Sequence, residues 1–195
     1  MQRRYHLLLL FILACLTQQQ ASASQPIEVN ITNDDRSGLD IIQAQTAFDN
    51  HGTALRRILL AISGYADLHP WIVSSTLIGS GDQEGQEFLI EYDFPWPVCR
   101  RWSRIRVHKE DENTISWHQI AGNMQKNEGQ LRFSSSSHQS INVSMSAIIG
   151  IGLPEILIRE FKKQFVKDFI VTAYDQAVTS THAELILPPA PTLTN

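Results

Sequence analysis

From Trp71 to Ile149 apolar and polar side chains alternate in run after run, and this period of two constrains the fold more than any other feature. Phe88, Ile90, Tyr92 and Phe94 alternate with Leu89, Glu91 and Asp93. Ile115 and Trp117 alternate with Thr114, Ser116 and His118, and Leu131 and Phe133 with Gln130 and Arg132. The longest run sets Ile141, Val143, Met145, Ala147 and Ile149 against Asn142, Ser144 and Ser146. Successive side chains of a strand point to opposite faces, so each run has one apolar and one polar side. Gly79-Ser80-Gly81-Asp82, Asp111-Glu112-Asn113 and Asn127-Glu128-Gly129 read as the turns between runs. Six strands at hairpin spacing predict an antiparallel sheet that is wet on one face and apolar on the other.

The apolar face needs a cover. Pro154 suits the first turn of a helix, and Glu155 is favourable at the positive end of its dipole. The pattern predicts a helix to about Val178 that buries Leu157, Phe161, Phe165 and Phe169, with Ile158 and Ala173, and turns Lys162, Lys163 and Lys167 outward. Upstream, Asp40–Phe48 reads as a strand burying Ile42, Ala44 and Phe48. Asp49 or Asn50 then caps a helix whose buried stripe is Leu55, Ile58, Leu59 and Ile62. Ser63-Gly64 stops it, and Tyr65 to Leu68 form a short second turn before His69-Pro70. The class is α+β.

The ends read differently. Arg3 and Arg4 precede an unbroken apolar run from Leu7 to Leu16, about half the length that spans a bilayer, and Ala21-Ser22-Ala23 supplies small residues for cleavage. Residues 1–23 are expected to be a secretory signal peptide that directs export from the cytoplasm. The alternative is a lipobox, Ile12-Leu13-Ala14-Cys15, that would leave the protein lipid-anchored through Cys15. Cleavage after Ala23 would make the mature chain two charges more negative than the formal −4 and leave Cys99 without an internal disulfide partner. Residues 24–38 are expected to be a flexible lead-in, and residues 181–195, with Pro188, Pro189 and Pro191, a flexible tail.

Net negative charge and the lack of a sustained Lys/Arg run exclude a protein that grips nucleic acid through its phosphates. The seven histidines are scattered, with no HExxH and no cysteine pair, so neither a metal nor any other cofactor is expected. Gly150-Ile151-Gly152 follows an antiparallel strand and reads as a turn, not a phosphate loop. Ser134 to Ser137 has no G-x-S-x-G frame, and no catalytic triad can be assembled.

Three segments carry a resemblance: Gly64-Tyr65-Ala66-Asp67-Leu68-His69-Pro70-Trp71, Tyr92-Asp93-Phe94-Pro95-Trp96-Pro97-Val98 and Leu153-Pro154-Glu155-Ile156-Leu157. With the element order they resemble the START-like (SRPBCC) superfamily over residues 39–180. The second resembles that family's "PWPV" segment. START members often follow it with an Arg-Asp pair, whereas here Arg101 precedes Trp102. The resemblance implies a helix-grip fold, a curved antiparallel sheet wrapped around a long C-terminal helix, with two short helices after the first strand.

It also implies an apolar pocket between helix and sheet, for a hydrophobic ligand such as a lipid, sterol, quinone or polyketide, and a transient membrane contact. The candidate lining is Ile90, Tyr92, Trp117, Phe133, Met145, Phe161 and Phe165. Arg106 stands apart. Alternation with Ile105 and Val107 places it on the solvated face, yet turned inward it could hold a ligand carboxylate or phosphate. His118, opposite Trp117 in phase, reads as a surface residue. An exported binding or carrier protein is the leading expectation, with the bacterial periplasm as the compartment that the resemblance implies. Its rivals are a cyclase- or hydrolase-like enzyme using Arg106 or His118, and a domain whose core is simply filled.

Overall fold

A computed structural model describes residues 27–49, 51–81, 85–96, 98–135 and 140–186. The leader, its cleavage site, Cys15 and the proline-rich end lie outside these residues. The strands are β1 (Glu28–Asn33), β2 (Asp40–Asp49), β3 (Ile72–Gly81), β4 (Gly85–Asp93), β5 (Arg100–Lys109), β6 (Thr114–Gly122), β7 (Lys126–Ser135) and β8 (Ser140–Gly150). Helix α1 (Gly52–Leu60) and a 3-10 helix (Ile62–Asp67) follow β2, and the long helix α2 is Glu155–Ile186.

All eight strands form one antiparallel sheet in the order β1-β2-β8-β7-β6-β5-β4-β3. The expected apolar phases are the buried ones: Ile42, Ala44, Phe48, Phe88, Ile90, Ile105, Val107, Ile115, Leu131 and Val143 are all nearly inaccessible. The six strands from β3 to β8 and the stripe of α1, which buries Leu55 and Leu59, follow the sequence reading.

Four local differences have physical causes. Residues 28–33 of the expected lead-in form an edge strand in register with β2, Val29 opposite Ala44 and Ile31 opposite Ile42. With only two apolar residues, its alternation is too short to announce itself. The β1–β2 turn is built by Asp34, whose carboxylate accepts from the Ser37 hydroxyl at 2.6 Å and its N–H at 3.2 Å. Helix α1 is preceded by His51 with no side-chain cap, in place of a capping Asp49, and Asn50 lies outside the described residues. Asn127, Glu128 and Gly129 lie inside β7 and pair with β6 and β8, the turn falling before Lys126.

The fourth difference is in α2. It runs to Ile186, past the expected end at Val178, and its deeply buried stripe is Ile158, Lys162, Val166, Ile170, Ala173 and Ala177. Lys162 is 2% exposed, a correction to its expected outward position. Phe161 and Phe165 are half-buried at the stripe's edge. The stripe is set one residue along from the expected one because Glu155 pairs with Lys162 and lets it be buried there, which leaves Phe161 and Phe165 on its flank. Phe48 stacks on Tyr174 with ring centroids 4.4 Å apart, and Gln176 Nε2 donates to Asp67 O at 2.9 Å, fixing α2 over the sheet and the 3-10 helix. The link from β8 to α2 needs Gly152, whose φ of +79° is left-handed backbone that glycine adopts without penalty.

Candidate functional site between sheet and helix

The concave face of the sheet and α2 do not meet everywhere. Between them is a cavity of about 80 Å³. A water needs only roughly 10–15 Å³ of such space, so the cavity has room for several waters. Ile90 and Tyr92 from β4, Trp117 from β6, Met145 from β8 and Phe165 from α2 all face it. Smaller aliphatic walls come from Leu59, Ile105, Val107, Leu131 and Ile170.

One polar chain crosses this apolar space. Trp117 Nε1 donates to Asn127 Oδ1 at 3.0 Å, and Asn127 Nδ2 donates to Tyr92 Oη at 3.3 Å. Asn127 is only 5% exposed, so its amide is held where unsatisfied polarity would be expensive. The indole lies across Gly129, where a Cβ would come within 2.6 Å of the ring. A side chain there would push Trp117 away from Asn127. Burial raises the Tyr92 hydroxyl well above its ordinary range, and the hydrogen bond from Asn127 opposes that rise. Burial likewise raises Tyr65, whose hydroxyl donates to Leu59 O at 2.8 Å. Both phenols stay protonated and serve as hydrogen-bonding groups.

Toward the start of α2 a second compartment of about 20 Å³ shares Tyr92, Ile149 and Phe165 with the first. Phe94, Ile151, Phe161 and Lys162 complete it. Its aromatic wall is continuous: Trp71 stacks on Phe161 at 4.6 Å, and Phe94 meets Phe161 edge-on at 5.5 Å. His69 packs on Phe165 at 4.5 Å and accepts from Trp71 N at 3.1 Å. Burial lowers the His69 pKa, which keeps the ring neutral. Lys162 Nζ donates to Glu155 Oε2.

Five of the expected lining residues, Ile90, Tyr92, Trp117, Met145 and Phe165, are therefore brought together at the main cavity, and Phe161 lines its neighbour. Phe133 is buried but stands outside both linings. Arg106 is on the outer face of the sheet, where its Nη2 is 2.6 Å from Glu87 Oε1, and Arg104 holds the other oxygen of the same carboxylate. These two guanidiniums keep Glu87 below the usual carboxylate range. His118 shares that outer face and stacks on His108 at 5.4 Å. Among the described residues no group of three or more His, Cys, Asp or Glu is placed to hold a metal ion. Cys99 is exposed in the β4–β5 connection, with a left-handed φ of +57°.

Asn127 and Lys162 were not legible as site residues. Asn127 lies two residues before Gly129, in a stretch that reads as a turn. Lys162 carries the one signal that could have found it, its place four residues after Ile158 and four before Val166.

The same arrangement of sheet and helix recurs in solved structures. A STAR-related lipid transfer protein from Xanthomonas axonopodis aligns with a TM-score of 0.63 at 14% identity, over 80% of this chain and 96% of its own. A START superfamily protein from Mycobacterium smegmatis aligns with a TM-score of 0.61 at 9% identity, over 71% and 97%. The chain has the START-like helix-grip fold. An aromatase/cyclase from a Streptomyces species has it too, at a TM-score of 0.53 and 14% identity over 77% of this chain and 97% of that one. No protein-family model and no curated protein matches the sequence. The START-like likeness is thus one of fold.

Proposed function

We propose that this chain binds a hydrophobic small molecule between α2 and the concave face of the sheet. The observation that carries the reading is an apolar cavity crossed by a single buried hydrogen-bonded chain, Trp117–Asn127–Tyr92. Apolar walls supply affinity, and a few fixed polar groups orient the ligand. Lipids, sterols, quinones and polyketide-like molecules all combine a large apolar body with a hydroxyl or carbonyl for such a site. A lipid transfer protein and an aromatase/cyclase among the fold neighbours agree with this range.

At about 80 Å³ the space is smaller than the roughly 300 Å³ of the smallest typical ligand sites. A ligand of that class enters by displacing the half-buried walls Phe161, Phe165 and Met145. Binding is favoured over turnover because the residues facing the main cavity include no carboxylate, histidine, cysteine or lysine among the described residues. We further propose that the chain acts after export, on the strength of its leader-like first residues.

Native mass spectrometry of the protein isolated from its own organism tests both. A stoichiometric apolar adduct on a chain beginning near Ser24 is the expected result. An adduct-free protein that binds none of the four ligand classes on titration would overturn the binding reading. Recovery of intact Met1 on cytoplasmic protein would overturn export, and an acylated Cys15 would place the protein at a membrane surface.

A further inference from the structure

Lys162 occupies the position in the buried stripe of α2 where Ile158 and Val166 make an aliphatic residue the natural choice. Its side chain instead lines the smaller compartment, with Phe94, Phe161, Phe165 and Ile151. Burying an ion pair costs more in lost hydration than its attraction returns unless the remaining hydrogen-bonding capacity is also met. Here it is met only in part. An ammonium has three N–H donors, and the hydrogen bond that Lys162 makes is to Glu155 Oε2. Glu155 Oε1 is buried with no hydrogen-bond partner. Behind this wall Arg101 Nε and Nη2 are each 3.4 Å from Ile151 O, and the buried Asp40 carboxylate is close enough to Lys162 to interact with its charge.

We propose that Lys162 is the anchor for an acidic group, so that the molecule bound here is an amphipathic anion with a carboxylate on Lys162 and its apolar body in the main cavity. This rests on the cavity being a binding site and specifies its ligand class. Tyr92 lines both compartments, so a single molecule would run past its hydroxyl from the charged end to the apolar end. Glu155 is the resident counter-ion that the ligand's carboxylate replaces or shares. The ligand's carboxylate would accept from the Lys162 N–H donors that Glu155 leaves unmet, which a hydrocarbon end could not do.

Two matched probe pairs test the assignment by titration calorimetry on the whole protein: decanoate with decanol, and 2-naphthoate with 2-naphthol. In at least one pair the acid is expected to bind tenfold or more tighter than its alcohol, the size of a charge-assisted hydrogen bond. Lys162→Met is expected to abolish that preference. If the lone Glu155 then impairs folding, the double variant Glu155→Gln/Lys162→Met removes both charges and should lose the same preference. Glu155→Gln alone should raise acid affinity several-fold by removing the competitor. Alcohols binding as tightly as acids, or an acid preference surviving Lys162→Met, would overturn the role of Lys162 and leave the cavity reading intact. Failure of all four probes to bind would count against the cavity itself, and this assignment with it.

Discussion

Arg159 of α2 grips both carboxylate oxygens of Asp40, Nε to Oδ2 at 2.9 Å and Nη2 to Oδ1 at 2.8 Å, across the join between the first residue of β2 and the start of the long helix. Asp40 is fully inaccessible, whereas the Arg159 side chain is 41% exposed. The pair is therefore a hydrated cation reaching in to a buried anion, in the two-pronged geometry that suits guanidinium and carboxylate.

Hydrogen bonds from Arg159 hold the Asp40 carboxyl below its ordinary value, against a smaller opposing effect of burial. A depressed folded-state pKa stabilises the fold above the unfolded value of about 3.9 and ceases to as pH falls through the folded value. Asp40→Asn should cost about 1–3 kcal/mol at neutral pH. Urea unfolding of parent and variant at a series of pH values should show the two curves converging only below about pH 4. A constant gap down to the lowest pH would mean that the carboxylate is not the stabilising species.

The rotation of the buried stripe on α2 gives a paired test. Val166 is 1% exposed and Val171 is 37% exposed. Val166→Asp should destabilise by about 3–5 kcal/mol, since it places an unpaired charge in the seam. Val171→Asp should stay within about 0.5 kcal/mol of the parent. Equal effects in thermal unfolding would contradict the orientation of the helix.

Gly129 is required for space. A Cβ there would lie 2.5 Å from Ser146 O and 2.6 Å from the Trp117 ring. Gly129→Ala should cost about 1–3 kcal/mol, as overpacking generally does. It should also shift the Trp117 fluorescence that remains after Trp71, Trp96 and Trp102 are replaced by phenylalanine. An unshifted spectrum would mean that the indole does not rest on this glycine.

Cavity and hydrogen-bonded chain can be separated by their effects on binding. Met145→Trp should fill the space and abolish binding of whatever adduct mass spectrometry identifies, with a stability change of about 1–3 kcal/mol in either direction. Asn127→Leu should leave Trp117 Nε1 without its acceptor, cost about 1–3 kcal/mol, and weaken ligands bearing a hydroxyl or carbonyl more than pure hydrocarbons. Equal weakening of both ligand types would assign Asn127 to packing alone.

What could be read in the sequence was what repeats. The alternation around Ile90, Ile115, Leu131 and Val143 set the strands and their inward faces, and Leu55 and Leu59 set the face of α1. Those inward phases also placed Ile90, Tyr92, Trp117 and Met145 at the cavity. What could not be read depends on distant partners. Asn127 is stable in its buried place because Trp117 and Tyr92 meet it there, and no local pattern announces that meeting. Lys162 is buried because Glu155 lies two turns earlier on the same helix, so its charge argued for the wrong side. Arg106 posed the reverse problem. Its outward phase was correct, and the pairing with Glu87 completes the reason it stays there.

The adjacency of β2 and β8 has a consequence for how the chain reaches this state. Ile42 pairs opposite Ala147, so these neighbours in the sheet are separated by about a hundred residues of intervening chain. Strands β3 to β8 can form hairpin by hairpin as they emerge, but β2 and its edge partner β1 must wait for β8 before they have anything to join. Docking of the first two strands is therefore a late, long-range event, and it sets a folding time of milliseconds to seconds, not microseconds. Until then the inner faces of Ile42, Ala44 and Phe48 remain uncovered, and the growing chain stays open to whatever machinery handles unfolded polypeptide.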